Sequence, residues 1–451
     1  MNLVGKKSFM PPLGLLTVAA LCPQYWNLRL IDLNIEELTQ SDLEWAELAL
    51  ISGMGIQQRS MLDTIDRCKR AGVSTLVGGP DATSSPDQYE DATYLILDEA
   101  EITLPMFLAD FGCGKYQRVY TAEGMKPSIT ETPVPRFDLL SLDSYSHMCV
   151  QFSRGCPFSC EFCDITTLYG NIPRTKKPEQ LLNELDAIYD IGFRGPVFLV
   201  DDNFIGNKKS VKKMLPELVG WMQDHRYPFS LYTEASLNLA DDDELLEMMV
   251  AAGFESVFVG IESPSLESLR ETRKYQNIGG DMLAKVHTIQ RHGIEVLAGF
   301  ILGFDHDDEE IFQGQIDFIT AGKIPLAMVG MLHALPNTQL WTRLQEENRL
   351  LKDWTGDNYD LPNFKTKLPL ITLIRGYRQV LATLYEPANF FSRLSGLIEN
   401  MGPNKHLQLR RLGFGTKLKY LYPVIKALIW LGIKDKDGAQ YWRFMWWVWR
   451  Y

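Results

Sequence analysis

No apolar run in this 451-residue chain reaches the roughly 18–20 residues of a membrane-spanning helix, and no secretory leader opens it. Nor does it carry a Gly/Ser linker or a low-complexity tract, so its domains are expected to pack closely. Positive charge is in deficit: 45 Lys and Arg face 57 Asp and Glu, for a net charge of −12. A general nucleic-acid binder would show a basic surface, so that class is excluded. Cysteine is scarce, at seven residues, and without a leader a disulfide framework is not expected. A soluble cytoplasmic protein of two or three domains, with ample core, is the expectation at this length.

Three of the seven cysteines fall within eight residues, in the run Arg154-Gly-Cys-Pro-Phe-Ser-Cys-Glu-Phe-Cys163. At this composition CxxxCxxC arises by chance in roughly one chain per thousand, so Cys156, Cys160 and Cys163 need a chemical reason. Closely spaced thiolates suit an iron–sulfur cluster. Three ligands leave one iron of a 4Fe–4S cluster without a protein ligand, as a catalytic centre requires. Zinc and inert thiols are the alternatives. The nearest His, His147, is not at a tight ligand spacing for zinc. Cys22, Cys68, Cys113 and Cys149 are scattered and read as small buried hydrophobes.

The CxxxCxxC run, with Phe162 before its last Cys, resembles the signature of the radical S-adenosylmethionine (SAM) superfamily. The runs Pro11-Pro-Leu-Gly-Leu-Leu-Thr-Val-Ala-Ala-Leu21 and Val200-Asp-Asp-Asn-Phe-Ile-Gly-Asn207 resemble its cobalamin-binding branch, and within that the group with hopanoid methylases and similar lipid-modifying enzymes. The resemblance spans nearly the whole chain. It implies an N-terminal Rossmann-like cobalamin domain, then a partial (β/α)6 barrel, then a mostly helical C-terminal region. It also implies that SAM chelates the open iron and is cleaved by an electron from the cluster. A reductant such as flavodoxin or ferredoxin would supply that electron.

Residues 1–110 alternate strand and helix. Strand candidates are Leu28–Leu33, Leu48–Ser52, Ser74–Val77 and Tyr94–Leu97, with helices such as Gly14–Leu21 and Ser60–Ala71. That alternation predicts a parallel, doubly wound sheet with ligands at the carboxyl ends of its strands. Ser52, Gly53, Gly78, Gly79 and Pro80 follow two of these strands, where small residues let a bulky ligand approach. By resemblance they line the slot for the cobalamin nucleotide tail; ordinary β–α turns would also use such residues. Met54 stands where the family has Leu, and no Asp-x-His-x-x-Gly supplies a cobalt ligand. So few residues precede Pro11 that the first strand of such a sheet is missing, and the domain reads as N-terminally incomplete. Asp98 occupies a position where relatives often carry Gly.

Residues 111–147 read as a connector and 148–335 as six strand–helix units. The strands are Cys149–Ser153, Val197–Asp201, Ser230–Glu234, Ser256–Ile261, Glu295–Ile301 and Ala327–Leu332. Right-handed units of this kind close into a full or partial barrel whose chemistry sits at the strands' carboxyl ends. Asp201, Asp202 and Asn203 end one strand, Glu234 the next and Glu262 the next. Helix capping competes with a ligand role at Asn203. By resemblance the region of Asp202 and Asn203 contacts the SAM amino group, and Glu234 and Glu262, as strand-end carboxylates, can accept from a ribose or an ammonium and are further SAM candidates. Gly299, Ile301 and Gly303 form the GxIxG pattern that, in the superfamily, meets the adenine. His333, ending the sixth strand, is a candidate for a substrate or proton-transfer role, and Tyr232, near another strand end, for hydrogen donation, though packing is its plainer role. His287 and His292 share no helix face well.

Residues 336–451 read as helical and aromatic-rich. Leu418–Ile433 is largely apolar, and Tyr441-Trp-Arg-Phe-Met-Trp-Trp-Val-Trp-Arg-Tyr451 closes the sequence given. Either a helical domain packed on the barrel or an interfacial surface, with peripheral contact at the inner membrane face, accounts for this. The expected activity is C-methylation of an unactivated carbon in a small, apolar molecule, such as an isoprenoid or polycyclic lipid, with 4Fe–4S, SAM and cobalamin. Radical cyclisation, rearrangement or C–C bond formation is the alternative. An iron–sulfur electron carrier or sensor is the alternative from another class. Methylthiolation would want a second N-terminal set of three cysteines, which is absent.

Overall fold

A computed structural model describes residues 5–352, 356, 360–402, 424–434 and 436–451. The chain divides into two compact units. One comprises Met10–Phe193 with His333–Lys365; the other comprises Met1–Phe9, Arg194–Leu332 and Thr366–Tyr451.

The first unit holds a parallel sheet of β1 (Leu48–Ser52), β2 (Ser74–Gly78), β3 (Tyr94–Ile96) and β4 (Val119–Tyr120), in that order. Both faces are covered, because neighbouring residues in a strand point to opposite sides. Val77 and Leu95 pack with Met61, Ile65 and Tyr89 on one face. Leu76 and Ile96 pack with Leu104, Phe107 and Tyr120 on the other. Helices Gln58–Ala71 and Ala100–Cys113 supply these two layers, and each ends on a left-handed glycine, Gly72 or Gly114. The predicted strand Leu28–Leu33 does not form. Asp32 folds that segment into a turn, its carboxylate accepting from Asn34 N (2.9 Å) and from Tyr145 (2.9 Å). The edge strand β4 lies instead in the segment read as connector. Further along come β5 (Met148–Val150) and an antiparallel pair, β6 (Ser153–Arg154) with β7 (Arg174–Thr175).

The second unit holds β8 (Pro196–Leu199), β9 (Ser230–Glu234), β10 (Phe254–Glu262), β11 (Glu295–Leu302) and β12 (Ala327–Met331) as neighbouring parallel strands. Helices Lys208–Asp224, Asp243–Ala251, Met282–Arg291 and Glu310–Ala321 lie between them in sequence. Each is amphipathic: Val211, Leu215, Leu218 and Met222 share one buried face of the first. All six predicted barrel strands therefore exist as strands, shifted by a few residues at most. Helices Leu370–Leu384, Pro387–Met401 and Gly438–Arg450 follow in the same unit. The fully buried Arg393 anchors the second of them, donating to Ile324 O (2.9 Å) and Leu384 O (2.7 Å). Part of the apolar stretch Leu418–Ile433 lies outside the described residues.

Candidate functional site

The cysteine loop is closed by the β6–β7 pair, which holds Arg154 opposite Arg174. Gly155 turns the chain into it at φ +92°, and a side chain there would lie 2.9 Å from Gly170 O, so only glycine fits. Cys156 N donates to Gly170 O (3.3 Å) and Cys163 N to Cys160 O (3.2 Å). Cys160 is buried, while Cys156 and Cys163 are half-buried. Among the described residues no three His, Cys, Asp or Glu side chains converge on one point. A 4Fe–4S cluster does not ask for that, since each thiolate takes its own iron. The donor set and its short wrapping loop thus fit such a cluster.

Carboxylates fix the loop from two sides. Glu99 accepts from Arg154 Nη1 (2.9 Å) and from Arg174 Nη2 (2.8 Å), and Glu101 from Arg154 Nη2 (2.8 Å). Both acids start helix Ala100–Cys113 beside the Rossmann-like sheet, so the base of the cysteine loop is clamped to that sheet's carboxyl end. Burial pushes the Glu101 carboxyl up, but Arg154 more than offsets this and holds it below the usual range. Between the cysteines, Glu161 receives a two-pronged contact from Arg343 (2.6 and 3.1 Å) on helix Gln339–Glu346. Phe162 is half-buried beside it.

At the ends of β1 and β2 the strands pair Ser52 with Gly78. Gly79 follows at φ +96°, and a Cβ there would stand 2.3 Å from Ser52 Oγ. That close approach explains Gly79 and brings it onto Ser52. Gly78 and Gly53 serve the chain's own packing, against Ile96 and Met61. Pro80 opens the helix Pro80–Ser84. Met54 and Ile56, beyond β1, are 59% and 53% exposed, an apolar rim suited to a large planar ligand. Asp98 is left-handed at φ +63°, a conformation that favours glycine. Its carboxylate compensates by accepting from Thr121 Oγ1 (2.8 Å) and Ala122 N (2.9 Å).

In the second unit, acids gather at the carboxyl ends of β8–β10. Glu262 ends β10 at φ +66°, after a register shift, and Lys274 Nζ donates to its Oε1 (2.7 Å). Gly260 makes room for that pair: its Cβ would lie 2.3 Å from Glu262 Oε1 and 2.8 Å from Lys274 Nζ. Asn277 ties the bulge down, donating to Gly260 O (2.9 Å) and Ile261 O (3.1 Å). Glu234 has no such close cation among the described residues. Burial first, then Asp202, pushes its carboxyl up to about 7, with Lys274 opposing. Asn203 is buried and engages Ser236, donating to Oγ (3.1 Å) and accepting from N (3.2 Å). It thus ties the loop after β8 to the loop after β9.

Gly303 lies at φ +103°, and its N–H donates to Asp307 (2.8 Å), which also accepts from Ser268 (2.8 Å). Burial pushes the Asp307 carboxyl up to about 6 despite these bonds. Gly299 gives way to Phe258, 3.0 Å from where its Cβ would be. The carbonyl of the half-buried Ile301 accepts from Gln315 (2.8 Å). Tyr232 stacks on Phe198 with ring centroids 4.7 Å apart. His333 is buried. Sequence reasoning missed Lys274, Asn277, Ser268 and Asp307, together with the roles of Glu99, Arg154, Arg174 and Arg343. None has a diagnostic spacing; each is defined by a partner distant in sequence.

The family model described as Radical SAM superfamily matches residues 150–319, and Domain of unknown function (DUF4070) matches residues 338–451. An uncharacterized methyltransferase of Synechocystis sp. is 44% identical over 447 residues, covering 98% of this chain and 82% of the relative. The hopanoid C-2 methylase of Rhodopseudomonas palustris is 37% identical over 443 residues, covering 97% and 83%. The solved structure of the cobalamin-dependent SAM radical enzyme OxsB, with aqua-cobalamin and SAM bound, shares the fold at a TM-score of 0.63 and 17% identity. It covers 95% of this chain and 72% of that one. The chain belongs to the family of radical SAM methyltransferases that holds this hopanoid C-2 methylase.

Proposed function

We propose that this enzyme methylates an unactivated carbon of a polycyclic or isoprenoid lipid, using a 4Fe–4S cluster, SAM and cobalamin. The observation that carries the reading is the 37% identity to a hopanoid C-2 methylase across 97% of the chain. Cys156, Cys160 and Cys163 would hold the cluster, with Phe162 at its side. Asp202, Asn203, Glu234, Glu262, Gly299, Ile301 and Gly303 are the residues proposed for SAM. Ser52, Gly53, Gly78, Gly79 and Pro80 are those proposed for cobalamin, in a domain of residues 1–110. A connector of 111–147, a barrel of 148–335 and a C-terminal domain of 336–451 complete the proposed division.

When bound, these groups supply reductive SAM cleavage and a methyl group carried on cobalt. The protein's part is orientation and charge. Lys274 holds Glu262 in place through one oxygen, and the carboxylate can accept from a ribose hydroxyl or an ammonium. Glu234, shifted up to about 7, shares a proton near neutrality and can donate as well as accept. Asn203, through Ser236, and Asp307, through Gly303, hold the flanking turns still. Tyr232 and His333 remain the candidates for moving a hydrogen or proton. A small redox protein, flavodoxin or ferredoxin, is the proposed reductant.

The test is anaerobic reconstitution with iron, sulfide and cobalamin, then incubation with methyl-labelled SAM and a detergent-dispersed pentacyclic triterpenoid. A labelled lipid heavier by one methylene unit is expected. Formation of 5′-deoxyadenosine with the lipid unchanged, and another substrate methylated instead, overturns the assignment.

A further inference from the structure

The helix Gly438–Arg450 has two unlike faces. Tyr441 and Phe444 pack on Phe391, with ring centroids 6.2 and 5.0 Å away. Phe391 lies on the helix that Arg393 anchors, so this packing is firm. On another face Trp442, Trp446 and Trp449 stand at helical spacings of four and three residues, which aligns them in one stripe. They are 48%, 54% and 83% exposed. The indole of Trp442 donates to Gly432 O (2.9 Å), tying the stripe to a turn that carries Trp430 and Ile433. These two are 53% and 72% exposed. Scattered exposed apolar residues need no explanation, but a joined group with three or more bare indoles does.

Cations accompany the rings. The Arg450 guanidinium lies 3.6 Å from the ring centre of Trp446, and the Lys434 ammonium 4.3 Å from that of Trp430. The surrounding sequence is basic as well. Residues 401–451 contain ten Lys or Arg and two Asp, in a chain whose net charge is −12. Indoles with basic side chains that reach past them match the headgroup layer of a bilayer, and local positive charge on an acidic protein selects anionic lipid. No helix among the described residues is long and apolar enough to cross a membrane, so such contact would be peripheral.

We propose that Trp430, Ile433, Trp442, Trp446 and Trp449, with Lys434 and Arg450, form a docking surface for an anionic lipid membrane. This rests on the lipid-substrate reading, and it names where the enzyme would meet the phase that holds its substrate.

Flotation of the purified chain with phosphatidylcholine vesicles, with and without phosphatidylglycerol, tests it. Binding is expected with the anionic vesicles and should weaken as salt is raised. The variant Trp446→Ser/Trp449→Ser should partition about tenfold more weakly. Its melting temperature should be unchanged, because both rings are exposed. A second variant, Lys434→Glu/Arg450→Glu, should lose the preference for anionic vesicles while keeping its fold. A chain that stays in the soluble fraction with both vesicle types overturns the proposal. So does a wild-type dimer that becomes a monomer in the tryptophan variant, since the face would then join two copies. Activity on detergent-dispersed lipid needs no vesicle, so it tests the substrate reading separately.

Discussion

Lys274 Nζ lies 2.7 Å from Glu262 Oε1, and both side chains are about nine-tenths removed from solvent. The pair sits where Gly260 has no Cβ, at a bulge that turns Glu262 left-handed. A strained backbone, a glycine gap and a buried ion pair thus meet in three turns of chain. Strain of this kind persists only where surrounding contacts over-determine it, and it gathers at functional sites. Asn277 supplies those contacts through Gly260 O and Ile261 O.

Replacing Lys274 with Met should therefore cost more than the pair itself contributes. It leaves the Glu262 carboxylate buried without its cation, a loss of about 3–5 kcal/mol. The double variant Lys274→Met/Glu262→Gln removes the orphaned charge and should recover most of that. Urea unfolding of the cofactor-free chain reads both. A single variant as stable as wild type would mean that the pair is effectively solvated.

Glu234 gives a pH signature. Its folded-state carboxyl titrates near 7, above the ordinary 4.5. For a raised carboxyl the stability contribution is full below about 4.5 and is lost as pH climbs through 7. Glu234→Gln should thus flatten the fall in stability between pH 5 and 8, gaining about 1–3 kcal/mol on wild type at the alkaline end. Melting temperature against pH, for both proteins without cofactors, decides it. Parallel curves would show that the carboxyl is ordinary.

Glu99 should matter to iron binding although it touches no proposed ligand. Glu99→Gln leaves Arg154 with Glu101 but leaves Arg174 with only the carbonyls of Pro127 and Tyr169, at a cost of about 3–5 kcal/mol. Because β6 and β7 frame the cysteine loop, iron incorporated on reconstitution should fall, and Glu99→Asp should restore part of it. Normal iron content in a destabilised Glu99→Gln protein would separate the clamp from the loop.

How far the sequence disclosed all this depends on the range of each signal. Parallel strands such as Leu48–Ser52 and Ser230–Glu234 are short apolar runs between turns, so they could be read almost to the residue. Leu28–Leu33 has the same apolar look, but the Asx turn at Asp32 wins locally, and Tyr145, over a hundred residues away, secures it. The cysteines announce themselves by spacing. Lys274 could not, because it reaches back twelve residues from an irregular segment. Arg154 and Arg174 meet only because two-residue strands pair antiparallel across the long cysteine loop. Asp98 was visible as an oddity, and its left-handed backbone supplies the reason.

Replacing Cys156, Cys160 and Cys163 together with Ala should abolish iron-dependent visible absorbance and all SAM cleavage. The other four cysteines offer no substitute set: Cys22, Cys68 and Cys149 are buried apart, and burial pushes the thiols of Cys22 and Cys149 up to about 11 and 12. A triple variant that still takes up about four irons per chain would reassign the ligands.

Cobalamin should bind without a protein imidazole on cobalt. All seven histidines lie at or beyond His147, and none falls within residues 1–110, the proposed cobalamin domain. The strand ends around Ser52 and Gly79 offer Met54 and Ile56, whose side chains can face a corrin but bring no strong nitrogen donor. Electron paramagnetic resonance of the Co(II) form reads this directly. Superhyperfine splitting from a histidine nitrogen would refute the prediction and demand a ligand from outside that domain. If no corrinoid binds at all, the assignment of Ser52, Gly53, Gly78, Gly79 and Pro80 fails with it. The iron-binding result for the cysteine loop would stand unaffected, because the two tests read different residues.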